Sequence, residues 1–531
     1  MERIHHPRPV FVAAHGMIPV GRYDGKDRES LTFLEIAARM GELFDRFPVR
    51  RRQIDTVIVG SQNPGAFSRV DNTAAKISGV LGISGVKSIL VDTASSSGAS
   101  AFEAAYLEVA SGRSDTVLAI GIQKMSDAST LRATDIVAGV IDTDEAEYGL
   151  SMPACGALVA RALMERLDLD FAHWSAFSAL LSERAHRFSS RNPDAHLREE
   201  LPLSRYFQEI VTGRNYLYWW PLRYHDFCPM SDGAAAVILS ARPSPIVVSG
   251  VGSATDIPTI ADRRYFHSFP ATVRAAAQAY GMAGIKSLSG FERRIHVNMH
   301  DPFNGFGPIN LVDLGIVHRH RLLDALLDDR LTGEDGLFPT NLTGGLKGRG
   351  HPLGATGMIQ IVENCRLMEE RGYDLAISHS IGGPINNNVV ILLERAESRI
   401  RRNPTPYRPW GLPVLGGMKP PGLTIETLLE KGPCRGRFVT STTKFHHKSG
   451  EPLQSIIIVS CRENGERYPF LFGVPGGYFD SISRLSPGDE LLIERGDDGI
   501  RINRIPVQRF YRRTMAGLRE LFSRAGREEQ R

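Results

Sequence analysis

Ser95 lies in a run of small residues whose pattern suits nucleophilic chemistry. The segment Val91–Ala101 predicts a strand that passes through a tight turn, occupied by Ser95, into a helix rich in serine, glycine and alanine. A helix N-terminus offers unpaired N–H groups and a partial positive charge. Such a place suits a nucleophile that must become anionic and an oxyanion that must be held. Serine is also an ordinary N-capping residue, so on this segment alone the cap is the favoured interpretation.

A second segment, Asn341–Gly357, places a histidine in a glycine-rich loop. Six glycines within this segment allow a backbone to approach a ligand closely, and Pro352 is suited to begin a helix. His351 lies at the mouth of that helix, where an imidazole can act as a general base or polarise a nucleophile.

Two shorter segments complete the set of candidate chemical groups. His300 follows a predicted strand, and Ser380 lies where another predicted strand ends, just before Gly382 and Gly383. In open α/β sheets, ligands gather at the carboxyl ends of strands. We therefore expect these segments to converge with the Ser95 turn and the His351 loop on one pocket.

The elements that must position these residues alternate between strand and helix patterns, as in a doubly wound sheet. The short β-rich runs of the first half are Val10–Ala13, Thr56–Gly60, Ser88–Val91, Thr116–Gly121 and Ala234–Leu239, with helices predicted at Leu31–Phe44, Thr73–Leu81 and Ser97–Ala110. After Pro245 the predicted strands are Ile246–Ser249, Ile295–Met299, Ala376–His379 and Val389–Leu393, with helices at Ala271–Tyr280, Pro308–Leu327 and Gly354–Glu370. The helix openings Gly98-Ala99-Ser100 and Gly354-Ala355-Thr356 echo each other, which together with the two matching runs indicates a duplication.

Composition and pattern divide the chain into five parts. The predicted parts are a first half over 1–243 with an inserted excursion at about 125–230, a second half over 244–398, a Pro/Gly-rich linker over 399–430, a β-only barrel over 431–507, and a basic amphipathic tail over 508–531. The tail is predicted to be helical. Packing of its apolar face on the chain's own domains is favoured over a membrane-surface role.

The overall composition excludes several classes of protein. The formal charge of +4 over 531 residues, with 63 basic and 59 acidic side chains, argues against a nucleic-acid partner. The five cysteines are scattered and form no C-x-x-C, so neither a metal site nor a disulfide framework is predicted. No apolar stretch is long enough to span a bilayer. These features favour a cytoplasmic protein with reduced thiols.

Four motifs in this order resemble those of the thiolase superfamily. The run Gly350–Gly357 looks like the thiolase signature GHPLGATG, and His300-Asp301-Pro302-Phe303 resembles the HDCF motif of the sterol-carrier-protein-type thiolases. Ser95-x-Ser97-Gly98 is similar to the C-x-S-G turn, and Ser380-x-Gly382-Gly383 to the C-x-G-G motif. The resemblance covers about residues 8–395 and implies a duplicated thiolase fold of two βαβαβαββ halves, layered α-β-α-β-α.

The resemblance also implies roles for the individual residues. Ser95 would take the place of the acylated nucleophile, His351 that of the histidine activating it, and Ser380 that of the second cysteine, which moves protons at the α-carbon. His300 would help to build one oxyanion hole, and the N–H groups of Ser95 and Gly382 the other. Gly344, Gly345, Gly350 and Gly383 are predicted to line the substrate site. The ligand would be an acyl-CoA or free coenzyme A, with no permanently bound cofactor.

The departures from the family's motifs change the expected chemistry. A serine hydroxyl is a weaker nucleophile than a thiolate, and Ser380 has no pKa near neutrality for proton transfer. Pro302 also replaces the cysteine of HDCF. Ordinary thiolase activity is therefore not expected. Two readings stay open: an acyltransferase that uses Ser95, related to acetyl-CoA acetyltransferases, and a non-catalytic acyl-CoA-binding or scaffold protein.

The C-terminal barrel resembles the additional barrel of the type 1 thiolase-like proteins and has an architecture like the oligonucleotide/oligosaccharide-binding fold. The partner proteins of similar architecture found beside some thiolases usually carry a cysteine-ligated zinc ribbon, which this sequence lacks. The barrel is expected to dock a protein partner or an acyl carrier. Either a homodimer through the first-half edge strand or a monomer is compatible with the sequence, because a fused barrel could cover that strand.

Overall fold

A computed structural model describes residues 8–397, 419–420, 422–496 and 499–504. Most of the predicted linker and the whole of the predicted tail at 508–531 therefore lie outside the described residues. Among the described residues, no helix is both long and apolar enough to cross a bilayer.

The centre of the molecule is one nine-stranded mixed sheet. Its strands are β1 (Phe11–Met17), β2 (Thr56–Gly60), β3 (Lys87–Val91), β4 (Thr116–Gln123), β7 (Gly233–Ser240), β8 (Ile246–Thr255), β9 (Ile295–Asn298), β10 (Leu375–Gly382) and β11 (Asn387–Arg395), and two short strands, β5 (Leu217–Trp219) and β6 (Leu222–Arg223), lie outside it. The order is β3-β2-β4-β7-β1-β8-β11-β10-β9, so strands from the two halves of the chain lie on the two sides of one sheet. Burial is continuous along β4 and β7, which explains their uninterrupted apolar sequences.

The two halves are not complete copies of each other. The first contributes five strands, as the predicted βαβαβαββ order requires, whereas the second contributes four. Where a fifth strand would lie, Thr340 forms only an isolated parallel bridge with Val297, because the chain turns directly into the glycine-rich loop. Within the sheet, strand pairing joins the two halves at a single position, Phe11 with Val247.

Helices flank the sheet on both faces. They are α1 (Phe33–Arg39), α2 (Leu43–Arg46), α3 (Pro64–Ser68), α4 (Thr73–Val80), α5 (Ser97–Ala110), α6 (Thr130–Ala138), α7 (Thr143–Glu147), α8 (Met152–Arg166), α9 (Phe171–Ser189), α10 (Leu203–Val211), α11 (Pro270–Ala283), α12 (Phe306–Asp313), α13 (Leu322–Leu327), α14 (Asp329–Thr332), α15 (Gly345–Arg349), α16 (Thr356–Arg371), α17 (Ile425–Leu429) and α18 (Phe479–Ser483). The prediction of one helix over Pro308–Leu327 was wrong: α12 ends before Gly315, whose φ of 72° requires a left-handed turn, and α13 starts afresh. The predicted helix at Leu31–Phe44 is likewise divided, by a 3₁₀ turn at Met40–Glu42.

The two helices that echo each other in sequence pack against each other in the structure. A β-carbon on Gly98 of α5 would lie 2.7 Å from the carbonyl oxygen of Gly354, and one on Gly357 of α16 would lie 2.7 Å from the β-carbon of Ala99. Glycine at these positions lets the two helix N-termini approach closely. This contact places the Ser95 turn beside the segment that follows His351.

The segment between β4 and β7 contains α6 to α10 and the short strands β5 and β6, and neither of these two strands joins the central sheet. Its long helix α9 packs on α15 of the glycine-rich loop. The excursion therefore supports the loop that carries His351.

The C-terminal part is an antiparallel sheet, as predicted for the β-only region. Its strands are β12 (Cys434–Phe445), β13 (Pro452–Glu463), β14 (Glu466–Pro475), β15 (Glu490–Gly496) and β16 (Gly499–Arg504), in the order β14-β13-β12-β15-β16. Its end strands, β14 and β16, share no ladder among the described residues. Closure into a barrel of the oligonucleotide-binding type stays a prediction.

The C-terminal sheet packs on the excursion through a buried arginine. The guanidinium of Arg161, in α8, donates to Ser441 Oγ of β12 and, at 2.7 Å, to the carbonyl oxygen of Leu485. Lys444 of β12 also pairs with Trp219 of β5. Among the described residues, the C-terminal sheet does not pair with β3, which is the edge of the central sheet and has Ile89 and Leu90 more than a third exposed.

Candidate active site

The Ser95 turn is held by hydrogen bonds among its neighbours. Ala94 adopts a left-handed conformation with φ of 56°, stabilised by its N–H donating to Asp92 Oδ1 at 2.9 Å. Ser97 Oγ accepts from the Thr93 N–H at 3.0 Å, and Ser96 Oγ donates to the Thr93 carbonyl oxygen at 2.8 Å. A non-glycine residue in this conformation costs free energy, which these hydrogen bonds offset.

The hydroxyl of Ser95 differs from those around it. The N-cap of α5 is Ser96, and no side chain caps this helix. Ser95 Oγ makes no hydrogen bond to any described residue, and the side chain is partly exposed. The capping role that the sequence favoured for Ser95 is therefore wrong, because the chain turns one residue later than a Ser95 cap would require. Its hydroxyl is left available for a ligand.

Gly382, at the end of β10, lies directly against this turn. A β-carbon on Gly382 would overlap the carbonyl oxygen of Thr93 and the hydroxyl of Ser96. The structure thus brings the Ser95-x-Ser97-Gly98 segment and the Ser380-x-Gly382-Gly383 segment together, as expected from the convergence of strand ends.

Ser380 is buried, with a side chain 1% exposed, and its Oγ has no hydrogen-bond partner among the described residues. Alternation along β10 puts it on the same face as Ser378, whose Oγ accepts from Asn364 Nδ2 of α16 at 2.8 Å. An unpaired buried hydroxyl is costly. A ligand group or water at this position would remove that cost.

His351 follows α15 and begins the turn into α16. Its Nδ1 lies 2.7 Å from Thr356 Oγ1, and its backbone N–H donates to Ser231 Oγ at 3.2 Å. The imidazole is therefore oriented by the residue five positions later in the same signature. Its Nε2 makes no hydrogen bond to the described residues and is available for proton exchange.

His300 lies just beyond β9, with its ring against that of His351. The ring centroids are 5.1 Å apart and the planes are inclined by 87°. Asn310 Nδ2 fixes the backbone by donating to the His300 carbonyl oxygen at 2.7 Å, while Nδ1 of the ring has no partner among the described residues.

Both histidines are neutral in the folded protein. Burial lowers the pKa of His351 to about 3, with a further contribution from the charge of Arg349. Burial also lowers the pKa of His300 well below its usual range, and the nearby His351, His379 and Arg349 act in the same direction. A neutral imidazole has one N–H donor and one acceptor nitrogen. At neutral pH each ring can therefore donate a hydrogen bond to an oxyanion through its N–H and accept a proton on its other nitrogen.

The four glycines predicted to line the substrate site are all in the left-handed region, and each contacts the chain itself. A β-carbon on Gly344 would lie 2.5 Å from Ser189 Cβ, and one on Gly350 would lie 2.7 Å from Ser231 Oγ. Gly345 lies against the Asp301 carboxylate and Gly383 against Asn386. The backbone conformation and packing account for glycine at these positions, and ligand contact stays a prediction.

Three supporting residues were not assigned by sequence reasoning. Thr356 orients His351 and could have been found from its place within the GHPLGATG signature. Arg349 is completely buried and pairs with Glu363 at 3.3 Å, and no sequence pattern predicts its burial. Cys228 donates its backbone N–H to the carbonyl oxygen of Pro302 at 2.9 Å, so a cysteine lies beside the proline that replaces the HDCF cysteine.

Comparison with known proteins decides the family. The profile described as "Thiolase, N-terminal domain" matches residues 10–182, and that described as "Thiolase C-terminal domain-like" matches residues 252–395. An acetyl-CoA acetyltransferase of Methanothermobacter thermautotrophicus is 32% identical over 362 residues, which span 65% of this chain and 90% of that protein. The chain belongs to the thiolase superfamily.

Other relatives place this thiolase-superfamily member beside the sterol-carrier-protein type. Sterol carrier protein 2 of Bos taurus is 28% identical over 341 residues, which cover 59% of this chain and 60% of that one. A monomeric SCP2-thiolase like protein type 1 from Mycobacterium smegmatis has a similar structure, with a TM-score of 0.65, 17% identity, and coverage of 94% of this chain and 99% of that one. The structural likeness shows the shared fold and extends to the C-terminal part.

Among the described residues no three histidine, cysteine or acidic side chains converge in a way that could hold a metal ion. The candidate site consists of hydroxyls, two neutral imidazoles and backbone groups, the components of acyl-transfer chemistry.

Proposed function

We propose that this protein is an acyltransferase that takes the acyl group of an acyl-CoA onto Ser95. The observation that supports this most directly is the free Ser95 hydroxyl at the N-terminal end of α5, in a site that retains two neutral histidines. The Ser95 oxygen would attack the thioester carbonyl, its proton would pass to His351, and the C–S bond would break. The same proton would then leave with the thiolate as coenzyme A, so the step needs no metal or redox partner.

The surrounding groups would stabilise this step. The N-terminus of α5 and the N–H of His300 would face the oxyanion, because a helix N-terminus and a neutral imidazole can both donate. Ser380 would bind the acyl group or its acceptor through its unpaired hydroxyl. Its hydroxyl exchanges protons poorly near neutral pH, so Claisen chemistry at the α-carbon is not proposed.

A non-catalytic acyl-CoA-binding or scaffold role is the alternative, and one observation favours it. An imidazole whose pKa is about 3 is a weak base, and a serine needs a base more than a cysteine does. Acylation of Ser95 would therefore be slow compared with that of a thiolate.

The proposal extends to the location of the protein and its partners. We propose a cytoplasmic protein, and an acyl carrier or a second copy of the chain as its protein partner. The edge strand β3, with Ile89 and Leu90 exposed, offers unpaired backbone groups to a second copy.

Intact-mass measurement separates the two functions. The protein and its Ser95→Ala variant are incubated with a panel of acyl-CoAs, with Ser111→Ala, which removes an exposed hydroxyl at the far end of α5, as the control. A mass gain equal to the acyl group that Ser95→Ala alone abolishes supports the enzyme. Coenzyme A binding without any adduct would leave the binding protein as the function.

A further inference from the structure

A groove of about 510 Å³ lies on the C-terminal sheet, away from Ser95. Four arginines line it: Arg435, Arg437, Arg462 and Arg467. All four are exposed side chains on β12, β13 and β14. The groove is at the beginning of β12, whereas the end of that strand, at Lys444, pairs with Trp219 of the excursion.

The strand register places three of these arginines in one row. Arg462 and Arg467 are directly paired across β13 and β14. The pairing of Gly436 with Cys461 puts Arg435 opposite Arg462 at the next position of the same ladder. Opposite residues in a sheet have their β-carbons about 5 Å apart, and like charges there destabilise the sheet. The row therefore spans about 10 Å of concentrated positive charge.

Two carboxylates, Glu463 and Glu490, also line the groove, but its five cationic side chains, the four arginines and Lys431, outnumber them. Glu463 pairs with Lys431 at 2.5 Å, and Glu490 is 3.9 Å from Arg437. In the part of the chain that the structure describes, Arg435, Arg462 and Arg467 have no carboxylate partner. Slight desolvation and the positive charges of Arg437 and Arg462 lower the pKa of Arg467, which agrees with the close spacing of the guanidinium groups.

We propose that this groove binds a nucleotide polyphosphate. Guanidinium groups match phosphate oxygens with two parallel hydrogen bonds, and successive phosphates would face successive arginines of the row. Leu428 and Pro433 form an apolar part of the wall on which a base can pack. The volume of the groove is in the range of small-molecule sites. Because the groove is concave, it suits a mononucleotide better than it suits the flat surface of a protein partner.

Titration calorimetry on the full chain tests the site with ATP, 3′-phosphoadenosine 5′-diphosphate, pyrophosphate and a single-stranded oligonucleotide. We expect the nucleotides to bind and Arg462→Gln or Arg467→Gln to weaken binding about tenfold each. Arg495→Gln, an exposed arginine on β15 outside the groove, serves as the matched control and should leave binding unchanged. A preference between ATP and 3′-phosphoadenosine 5′-diphosphate would distinguish a free nucleotide from the nucleotide end of coenzyme A.

Cys434 gives a second measurement that locates the ligand. It lines the groove, and its Sγ is 3.7 Å from Cys461 Sγ. Bound nucleotide should slow alkylation of Cys434, seen by peptide mass mapping, and Ser95→Ala should not alter this protection. Failure of both nucleotides to bind at millimolar concentration, binding by the oligonucleotide alone, or equal weakening by Arg495→Gln would overturn the proposal.

Discussion

The rings of His300 and His351 meet edge to face, 5.1 Å between centroids, although the two residues come from separate loops of the second half. One follows β9 and the other precedes α16, and each is fixed by a partner of its own, Asn310 or Thr356. Two imidazolium ions could not share this place, because each would repel the other in a buried setting. The contact therefore allows at most one of the two rings to be charged at a time.

The first prediction concerns the pH profile of Ser95 acylation. Because burial lowers the pKa of His351 to about 3, the ring remains an acceptor throughout the mildly acidic range. The single-turnover acylation rate should change less than about twofold between pH 8 and pH 5, since the base stays deprotonated there. The measurement is intact mass against time at each pH. A rate that falls with a midpoint near 6.5 would contradict it.

Stability should depend on pH through the buried histidines. Burial lowers the pKa of His379 to about 3, against an ordinary value of 6.5. Below pH 6.5, His379 takes up a proton in the unfolded chain but not in the folded protein. The contribution of the neutral His379 to the free energy of unfolding is therefore fully present above pH 6.5 and is lost as the pH falls towards 3. From pH 7.5 to pH 5 the wild type should lose about 2 kcal/mol that His379→Gln does not lose. His320→Gln, on the exposed surface, is the control, and curves for His379→Gln that run parallel to wild type would refute the assignment.

Gly382→Ala should disturb the candidate nucleophile without unfolding the protein. The added methyl group would meet the Thr93 carbonyl oxygen and Ser96 Oγ, and so displace the Ser95 turn. Overpacking of this kind costs about 1–3 kcal/mol. The rate of acylation should fall by more than the loss of folded protein explains. Intact mass gives the rate, and thermal denaturation of the same variant gives the stability. Gly79→Ala in α4, where a β-carbon meets nothing, should leave acylation unchanged and stabilise the protein by at most about 1 kcal/mol.

The strands were largely predictable because their signals are local. Thr56–Gly60 was placed at its observed bounds, and the other strands predicted for the central sheet overlap observed strands, although β1 and β8 continue four and six residues beyond their predicted ends. The prediction of one continuous helix over Pro308–Leu327 failed. The apolar pattern continues past Gly315, but this glycine adopts a left-handed conformation and separates two helices.

The site was predictable only as far as its motifs extend. The four motif segments do converge, as the contacts of Gly382 and His351 show. The sequence could not predict that the Ser95 hydroxyl makes no hydrogen bond. A run of three serines does not show which of them occupies the N-cap position of the helix. The buried Arg161 had no sequence signal either, since its partners lie far away in the C-terminal sheet.

Ser95→Cys should increase acyl transfer onto the chain. A thiol is a stronger nucleophile than a hydroxyl and depends less on a basic His351. We expect the acyl adduct to form at least about tenfold faster, and to be released by neutral hydroxylamine as a thioester is. The wild-type adduct, an oxygen ester, should resist the same treatment. A variant that folds normally and stays unmodified would show that the site does not place an acyl-CoA against position 95.

Arg161 should hold the C-terminal sheet on the rest of the molecule. Its guanidinium bonds to Glu165 at 2.8 Å and to the carbonyl oxygens of Leu485 and Ile482, and it stacks between Trp220 and Phe438. Arg161→Met would leave the Leu485 carbonyl oxygen and the Glu165 carboxylate without this donor, at a cost of about 3 kcal/mol. We expect a lower denaturation midpoint and faster proteolytic separation of the C-terminal part. Arg161→Lys should only partly restore the wild-type behaviour, because an ammonium group lacks the planar set of donors. Arg166→Met, an exposed change on the same helix, is the control, and equal behaviour of the two methionine variants would show that Arg161 does not join the two parts.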